Sequence, residues 1–294
     1  MEIKILFKKI INSHYVVFFI VFCVILEILF VAYEDHLFHI YFLDVGQGDS
    51  IFIRTPSNRD ILIDGGEDTS VLGELAEVMP FWDRTIDMII STHPDSDHLG
   101  GLLHVLERYS VQVLIMNERN ASSFLVQKVI SISKQKNTEV IELNTGDYID
   151  IGGLHLDILW PPINFMKKNE NQASSVVQGH YLDFSFLLTG DIESEQEKRL
   201  IQEYSEISSH ILKLSHHGSK TGSSIQFLDE VRPYIAIISC GANNKFGHPA
   251  DVVIERLKER NIYYLRTDLH GRIEFLIREK GRLEVTPEID NAVQ

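Results

Sequence analysis

The chain has 294 residues, 44% of them hydrophobic and 23% charged, enough for one large α/β domain with a short appendage and too apolar for long disordered tracts. Lys and Arg number 27 against 42 Asp and Glu, a formal net charge of −15 that excludes general attraction to nucleic acid and leaves only local, cation-loaded sites for a polyanion. Two cysteines, Cys23 in an apolar run and Cys240 at the end of a strand-like segment, exclude a disulfide framework.

Residues 1–14 carry Lys4, Lys8 and Lys9, and residues 15–33 then run from Tyr15 to Tyr33 with Glu27 as their only charge. A helix needs about 20 apolar residues to cross a bilayer core, so a single transmembrane anchor is expected over 15–33. Lysines before the run, with Glu34 and Asp35 after it, put residues 1–14 in the cytoplasm and the rest of the chain outside the cell membrane. A cleaved signal peptide fits less well, because bulky Phe30 would stand at the −3 position of a cut after Ala32. A buried core helix is the third reading. Glu27 would cost roughly 2.5–3.5 kcal/mol near a bilayer centre, although it lies toward the outer end, where snorkelling lowers that cost.

From Leu37 the pattern turns strand-like, and a hydrolase-sized domain is expected over 37–285, with 286–294 as a tail. His39–Leu43 and Ser50–Arg54 flank a Gly-Gln-Gly-Asp turn, and Ile61–Ile63 stops at Asp64-Gly65-Gly66. Met88–Ser91 leads into His93, and a helix is expected over Leu99–Tyr109. Strands follow at Val113–Met116, Val140–Leu143, Leu154–Leu159, Ser175–Gln178, Phe184–Thr189, Ile211–Leu214, Ile235–Ser239, Tyr263–Arg266 and Arg272–Ile277. Helices are expected at Ser122–Lys136, Ser194–Glu203, Ile225–Glu230 and Val252–Arg260. Strands cluster first, then alternate with helices, and the cycle repeats after about residue 140, which fits two sheets covered outside by helices. Chemistry then belongs on the strand-to-helix loops at one edge.

Ser91-Thr92-His93-Pro94-Asp95-Ser96-Asp97-His98-Leu99-Gly100-Gly101 places four metal-ligand types within six residues, after an apolar strand and at the start of a helix. Pro94 and the glycines hold a tight, non-periodic path on which consecutive side chains can converge. Imidazole with carboxylate suits zinc, manganese or iron. The competing reading, a polar turn with Asp95 or Asp97 as a helix cap, accounts for the aspartates and leaves both histidines unexplained.

The His-x-Asp-x-Asp-His spacing resembles the metallo-β-lactamase superfamily, and Asp95 in the second position, with Leu-Gly-Gly following, resembles the hydrolase domain of the ComEC DNA-uptake (competence) family. Five more segments match that pattern in order: Phe42 to Ser50, Leu62 to Gly66, Leu187 to Asp191, Leu214 to Lys220 and Phe246 to Pro249. The resemblance implies a four-layer αββα fold and two divalent metal ions, zinc or manganese. Carried over, His93 and Asp95 hold one metal, Asp97 and His98 the other; Asp191 bridges them and His216 completes the second site. His217 becomes a substrate or supporting group, and His248 and Lys220 contact a substrate anion. Asn171 to Ser175 stands where the superfamily often has another histidine, so the first metal is expected to be short of a ligand. His180 is a turn residue or an additional ligand, and His270 has no assignment.

The resemblance further implies a metal-dependent phosphodiesterase or nuclease acting on DNA outside the cell. ComEC proteins carry a multi-helix channel that one spanning segment cannot form, so a separate channel protein is the expected partner. The negative charge points to a second substrate class, phosphorylcholine or teichoic-acid esters of the cell wall. A non-catalytic, metal-stabilised partner of an uptake channel is the third reading, and a β-lactamase is disfavoured because Asp95 replaces histidine.

Overall fold

The computed structural model describes residues 14–26, 36–117, 123–278 and 282–289, and the chain divides into two units, Met1–His36 and Leu37–Gln294. In the first unit residues 14–26 are helical with exposed apolar side chains. Among the described residues no helix is long and apolar enough to cross a membrane. The expected 15–33 span continues into residues 27–35, which lie outside the described residues.

Among its described residues the second unit holds fifteen strands in two sheets. The first sheet has the order β15-β14-β1-β2-β3-β4-β5-β6. Its strands are β1 Phe38–Phe42, β2 Ile51–Arg54, β3 Asp60–Ile63, β4 Thr85–Ser91, β5 Ser110–Met116, β6 Glu139–Ile141, β14 Ile273–Arg278 and β15 Arg282–Pro287. The second sheet runs β13-β12-β11-β10-β9-β8-β7. It is built from β7 Tyr148–Ile151, β8 Leu154–Trp160, β9 Val176–Tyr181, β10 Phe184–Leu188, β11 Ile211–Lys213, β12 Ile235–Ile238 and β13 Tyr263–Arg266. In each sheet an antiparallel half gives way to a parallel half, β3 to β6 and β10 to β13.

Three apolar layers explain why the central strands read as continuous hydrophobic runs, as strands buried on both faces must. Ile61, Ile63 and Ile90 face Leu156, Phe186 and Ile237 between the sheets. Leu62, Ile89 and Leu114 point the other way, onto α1 (Ser70–Val78), α2 (Ser96–Arg108) and α3 (Phe124–Lys136), whose Val71, Leu75, Leu102, Leu106 and Val129 cover them. Leu187, Leu212 and Ala236 do the same beneath Leu200 of α4 (Ser194–Glu203), Phe227 of α5 (Ile225–Val231) and Leu257 of α6 (Asp251–Glu259). The result is a helix–sheet–sheet–helix sandwich. The loops leaving the C-terminal ends of β3, β4, β10, β11 and β12 carry Asp64, His93, Asp191, His217 and Ser239.

Three elements depart from the expectations. Edge strands β7 and β15 are half exposed and carry charges, as edges must to avoid pairing with other chains, and each sets just two alternating apolar residues on the core, Ile149 and Ile151 or Leu283 and Val285, too short a pattern to mark a strand. Strand β15 runs to Pro287, and the N–H groups of Glu288 and Ile289 donate to the carbonyls of Arg272 and His270. Helix α1 was hidden by the Gly-Gly-Glu-Asp that precedes it and by its internal Gly73.

Glycines set the seat of α2. A Cβ on Gly101 would lie 1.9 Å from the Gly65 carbonyl oxygen, and one on Gly100 would lie 2.1 Å from that of Glu67. Helix α2 therefore rests directly on the Asp64–Gly66 turn, with the N–H of Gly65 donating to the His98 carbonyl at 2.8 Å and that of Gly101 to Gly66 at 2.9 Å. Gly101→Ala must push these backbones apart and is expected to cost about 1–3 kcal/mol, read as a lower urea midpoint with an unchanged slope.

Candidate metal centre

Asp64 organises the first half of the centre. It sits just past β3 with φ 57°, and its carboxylate accepts from the Thr92 N–H at 2.8 Å and the Thr92 hydroxyl at 2.6 Å. Nδ1 of His98 lies 2.8 Å from the same carboxylate and donates to it. Because the Thr92 hydroxyl is spent on Asp64, its oxygen accepts from His93 Nδ1 at 3.0 Å. One aspartate thus fixes the tautomer of two histidines and turns both Nε2 atoms inward, the arrangement that metal-binding imidazoles require.

The second half comes from the other sheet. His216 and His217 both take left-handed backbone, φ 50° and 55°, so consecutive side chains leave the loop toward the same cleft. Nδ1 of His217 donates to the Ser239 carbonyl at 3.0 Å, which again frees Nε2. That Nε2 lies 3.2 Å from Asp191, 3.4 Å from Asp97 and 3.4 Å from His98 Nε2, while His98 Nε2 lies 3.3 Å from Asp191. Asp49, His98, Asp191 and His217 form a buried group whose ligand atoms all lie within 4.8 Å of one another.

This donor set fits a metal. With both Nδ1 atoms acting as donors, the Nε2 lone pairs of His98 and His217 face each other and need a cation between them. Ligands roughly 2.0–2.1 Å from a tetrahedral ion stand about 3.3 Å apart, close to the spacings seen. Among the described residues, buried Nε2 of His93 and Oδ1 of Asp191 have no hydrogen-bond partner, as expected of atoms that bind a metal. The electrostatics agree. Burial would lower the His98 pKa, but Asp191 and Asp64 outweigh it and hold it well above the usual histidine value. Burial and Lys213 oppose a charge on His217, yet Asp191 and Asp49 lift it to about 10. The carboxylates demand positive charge at the positions where an ion would sit.

The expected residues divide into three groups. His98, Asp97, Asp191 and His217 converge directly, and His93 joins them, its ring centroid 4.1 Å from that of His98. Burial, with His98 beside it, lowers His93 to about 3. Asp95 Oδ2 stands 3.7 Å from His93 Nε2 at the open side of the group. His216 is farther out, its Nε2 3.8 Å from Asp191 and 3.4 Å from the Asn171 amide. His248 lines the rim, with ring centroids 5.5 Å from His216 and 6.3 Å from His217; burial and these two neighbours lower it to about 4. Lys220 is exposed on the following loop, outside the converging group. His180 lies on β9 near Asp157, at 3.9 Å, outside the centre, and His270 is a buried partner of the Arg266 backbone.

Two residues of the centre escaped the sequence reading. Asp49 closes the Gly-Gln-Gly-Asp turn within the Phe42 to Ser50 segment, to which the sequence assigns no ligand, and it lies 3.3 Å from His217 Nδ1. Lys213 is fully buried and pairs with Asp49, with its ammonium 3.3 Å from the Gly190 carbonyl and 3.8 Å from Asp191. The available signal was a lone lysine inside the apolar run Ile211-Leu212-Lys213-Leu214.

Comparison with known proteins places this geometry. ComE operon protein 3 of Bacillus subtilis (strain 168) is 31% identical over 268 residues, covering 85% of this chain and 34% of that protein. Competence protein ComA of Neisseria gonorrhoeae is 30% identical over 245 residues, covering 81% and 32%. The chain thus spans about a third of the length of these curated relatives. Among solved structures, the metallo-beta-lactamase fold protein YhfI from Bacillus subtilis superposes with a TM-score of 0.53 at 11% identity, over 84% of this chain and 99% of that one, and so shares its fold. The family model of the metallo-beta-lactamase superfamily matches residues 43–242, which hold every residue of the centre, and the chain belongs to that superfamily.

Proposed function

We propose that the protein is a metal-dependent phosphodiesterase, anchored by residues 15–33 with its hydrolase domain outside the cytoplasm, and that DNA is its leading substrate, presented by a separate channel protein. The observation that carries the hydrolase reading is the convergence of His98, Asp97, Asp191 and His217 on one cleft with their free nitrogens and oxygens turned inward. Names of the curated relatives support the link to competence, and the lysines before residue 15 support the orientation.

Two divalent ions in such a centre would lower the pKa of a water between them to roughly 7 and polarise the phosphoryl group. His93 and Asp95 would hold the first and Asp97, His98 and His217 the second, and Asp191 would be a further ligand. Asp64, Thr92 and the Ser239 carbonyl keep the three imidazoles in one tautomer and orientation. His248 stays neutral at pH 7, because burial and its histidine neighbours lower its pKa, so one ring nitrogen can donate to a developing oxyanion. No serine or cysteine is needed as a nucleophile.

The test is hydrolysis of bis-p-nitrophenyl phosphate by the purified protein after chelation and return of Mn²⁺ or Zn²⁺, beside Asp97→Ala. Turnover that follows the metal and disappears in the variant is expected. Stoichiometric metal binding with no turnover under either ion would mark the centre as structural.

A further inference from the structure

At the rim of the cleft stands an aromatic ring that hydrolysis itself does not require. Phe246 leaves 56% of its surface exposed and stacks on His248, with ring centroids 5.8 Å apart and planes at 23°. His248 in turn adjoins His216 and His217, so Phe246 lies one ring removed from the metal centre. The turn that presents it is fixed by one side chain. Asn244 Nδ2 donates to the carbonyls of Gly241 at 2.9 Å and His248 at 2.6 Å, and its Oδ1 accepts from the N–H groups of Phe246 at 3.2 Å and His248 at 3.0 Å. Four bonds straddling Phe246 hold the ring outward instead of letting it fold onto the core. Lys245 places its ammonium 5.2 Å from the ring centroid.

We propose that Phe246 is the platform on which a planar ring of the substrate's ester group, a nucleobase, stacks while its phosphate is held at the metal centre. The proposal rests on the phosphodiesterase reading. An exposed aromatic beside a cation is the combination that single-stranded nucleic acids use, since every base offers a face and the backbone offers an anion. An aromatic face also attracts a quaternary ammonium. Lys245 argues against that occupant, because its ammonium would repel a choline headgroup, whereas it can leave the ring to meet a nucleotide's next phosphate.

The test uses three p-nitrophenyl phosphodiesters that share a leaving group and differ in the second ester: thymidine 5′, methyl and choline. Phe246→Ala is expected to raise KM for the thymidine ester about tenfold with little change in kcat, to leave the methyl ester's KM where it was, and to be rescued by Phe246→Trp. An equal rise for the methyl ester would place the ring against the leaving group and overturn the proposal. So would a rise confined to the choline ester. If the unaltered protein turns over none of the three, the phosphodiesterase reading fails separately. Thymidine 5′-monophosphate is then titrated against the metal-loaded protein and Phe246→Ala: weaker binding by the variant supports the platform, and equal binding or none removes it.

Discussion

His217→Ala is expected to abolish tight metal binding at the second position and to lower phosphodiester turnover by more than about 100-fold, the upper end of what loss of a supporting group produces. His216→Ala is expected to do much less. The two histidines are adjacent in sequence, and reading them from sequence favoured His216 as the ligand. The geometry separates them on four counts. His217 is 1% exposed at its side chain against 24% for His216, and its Nε2 lies 3.2 Å from Asp191 against 3.8 Å. Only His217 also reaches Asp97, at 3.4 Å. Its Nδ1 is committed to the Ser239 carbonyl, whereas that of His216 meets only the Thr221 hydroxyl at 3.4 Å. The check is metal content after dialysis, with turnover measured alongside. Loss of metal in His216→Ala with retention in His217→Ala would reverse the assignment.

That ambiguity shows where reading the sequence stops. Local patterns found the sandwich because β3, β4, β10 and β12 each end in an apolar run, Ile61–Ile63, Met88–Ile90, Phe186–Leu188 and Ile235–Ile238, and each run leads into Gly, Asp, His or Ser where the chain must turn. The His93 to His98 run announced itself by density of ligand types. Which neighbour of a pair faces the metal depends on left-handed backbone at His216 and His217, a conformation that no side-chain pattern specifies. Asp49 and Lys213 were missed for a different reason. They are 164 positions apart, from different sheets, and each alone reads as a turn aspartate or a stray strand lysine. Only the closing of the two sheets makes them an ion pair.

Lys213→Met is expected to destabilise the metal-free protein by about 3–5 kcal/mol, the cost of leaving a buried charge without its partner. Lys213 is fully buried, and the carboxylates it faces, Asp49 and Asp191, are 2% and 4% exposed at their side chains. Burial pushes both acids toward neutrality, yet Lys213 with His217 holds Asp49, and His217 with His98 holds Asp191, below the usual carboxylate range, so both remain charged near neutral pH. The substitution therefore removes the cation and leaves the anions. Two companion measurements give this outcome its meaning. Asp49→Leu in the Lys213→Met background is expected to restore much of the lost stability, because replacing a whole buried pair with apolar groups is often neutral or better. Saturating Zn²⁺ or Mn²⁺ is expected to stabilise the unaltered protein by about 2.7 kcal/mol at a hundredfold excess over Kd. It is expected to stabilise Lys213→Met by more, since the ions then supply positive charge that the lysine no longer does. Urea unfolding with and without metal reads all three. A Lys213→Met protein that loses stability equally in both conditions would mean that Lys213 supports the fold through packing of its stem, independently of the charge balance of the centre.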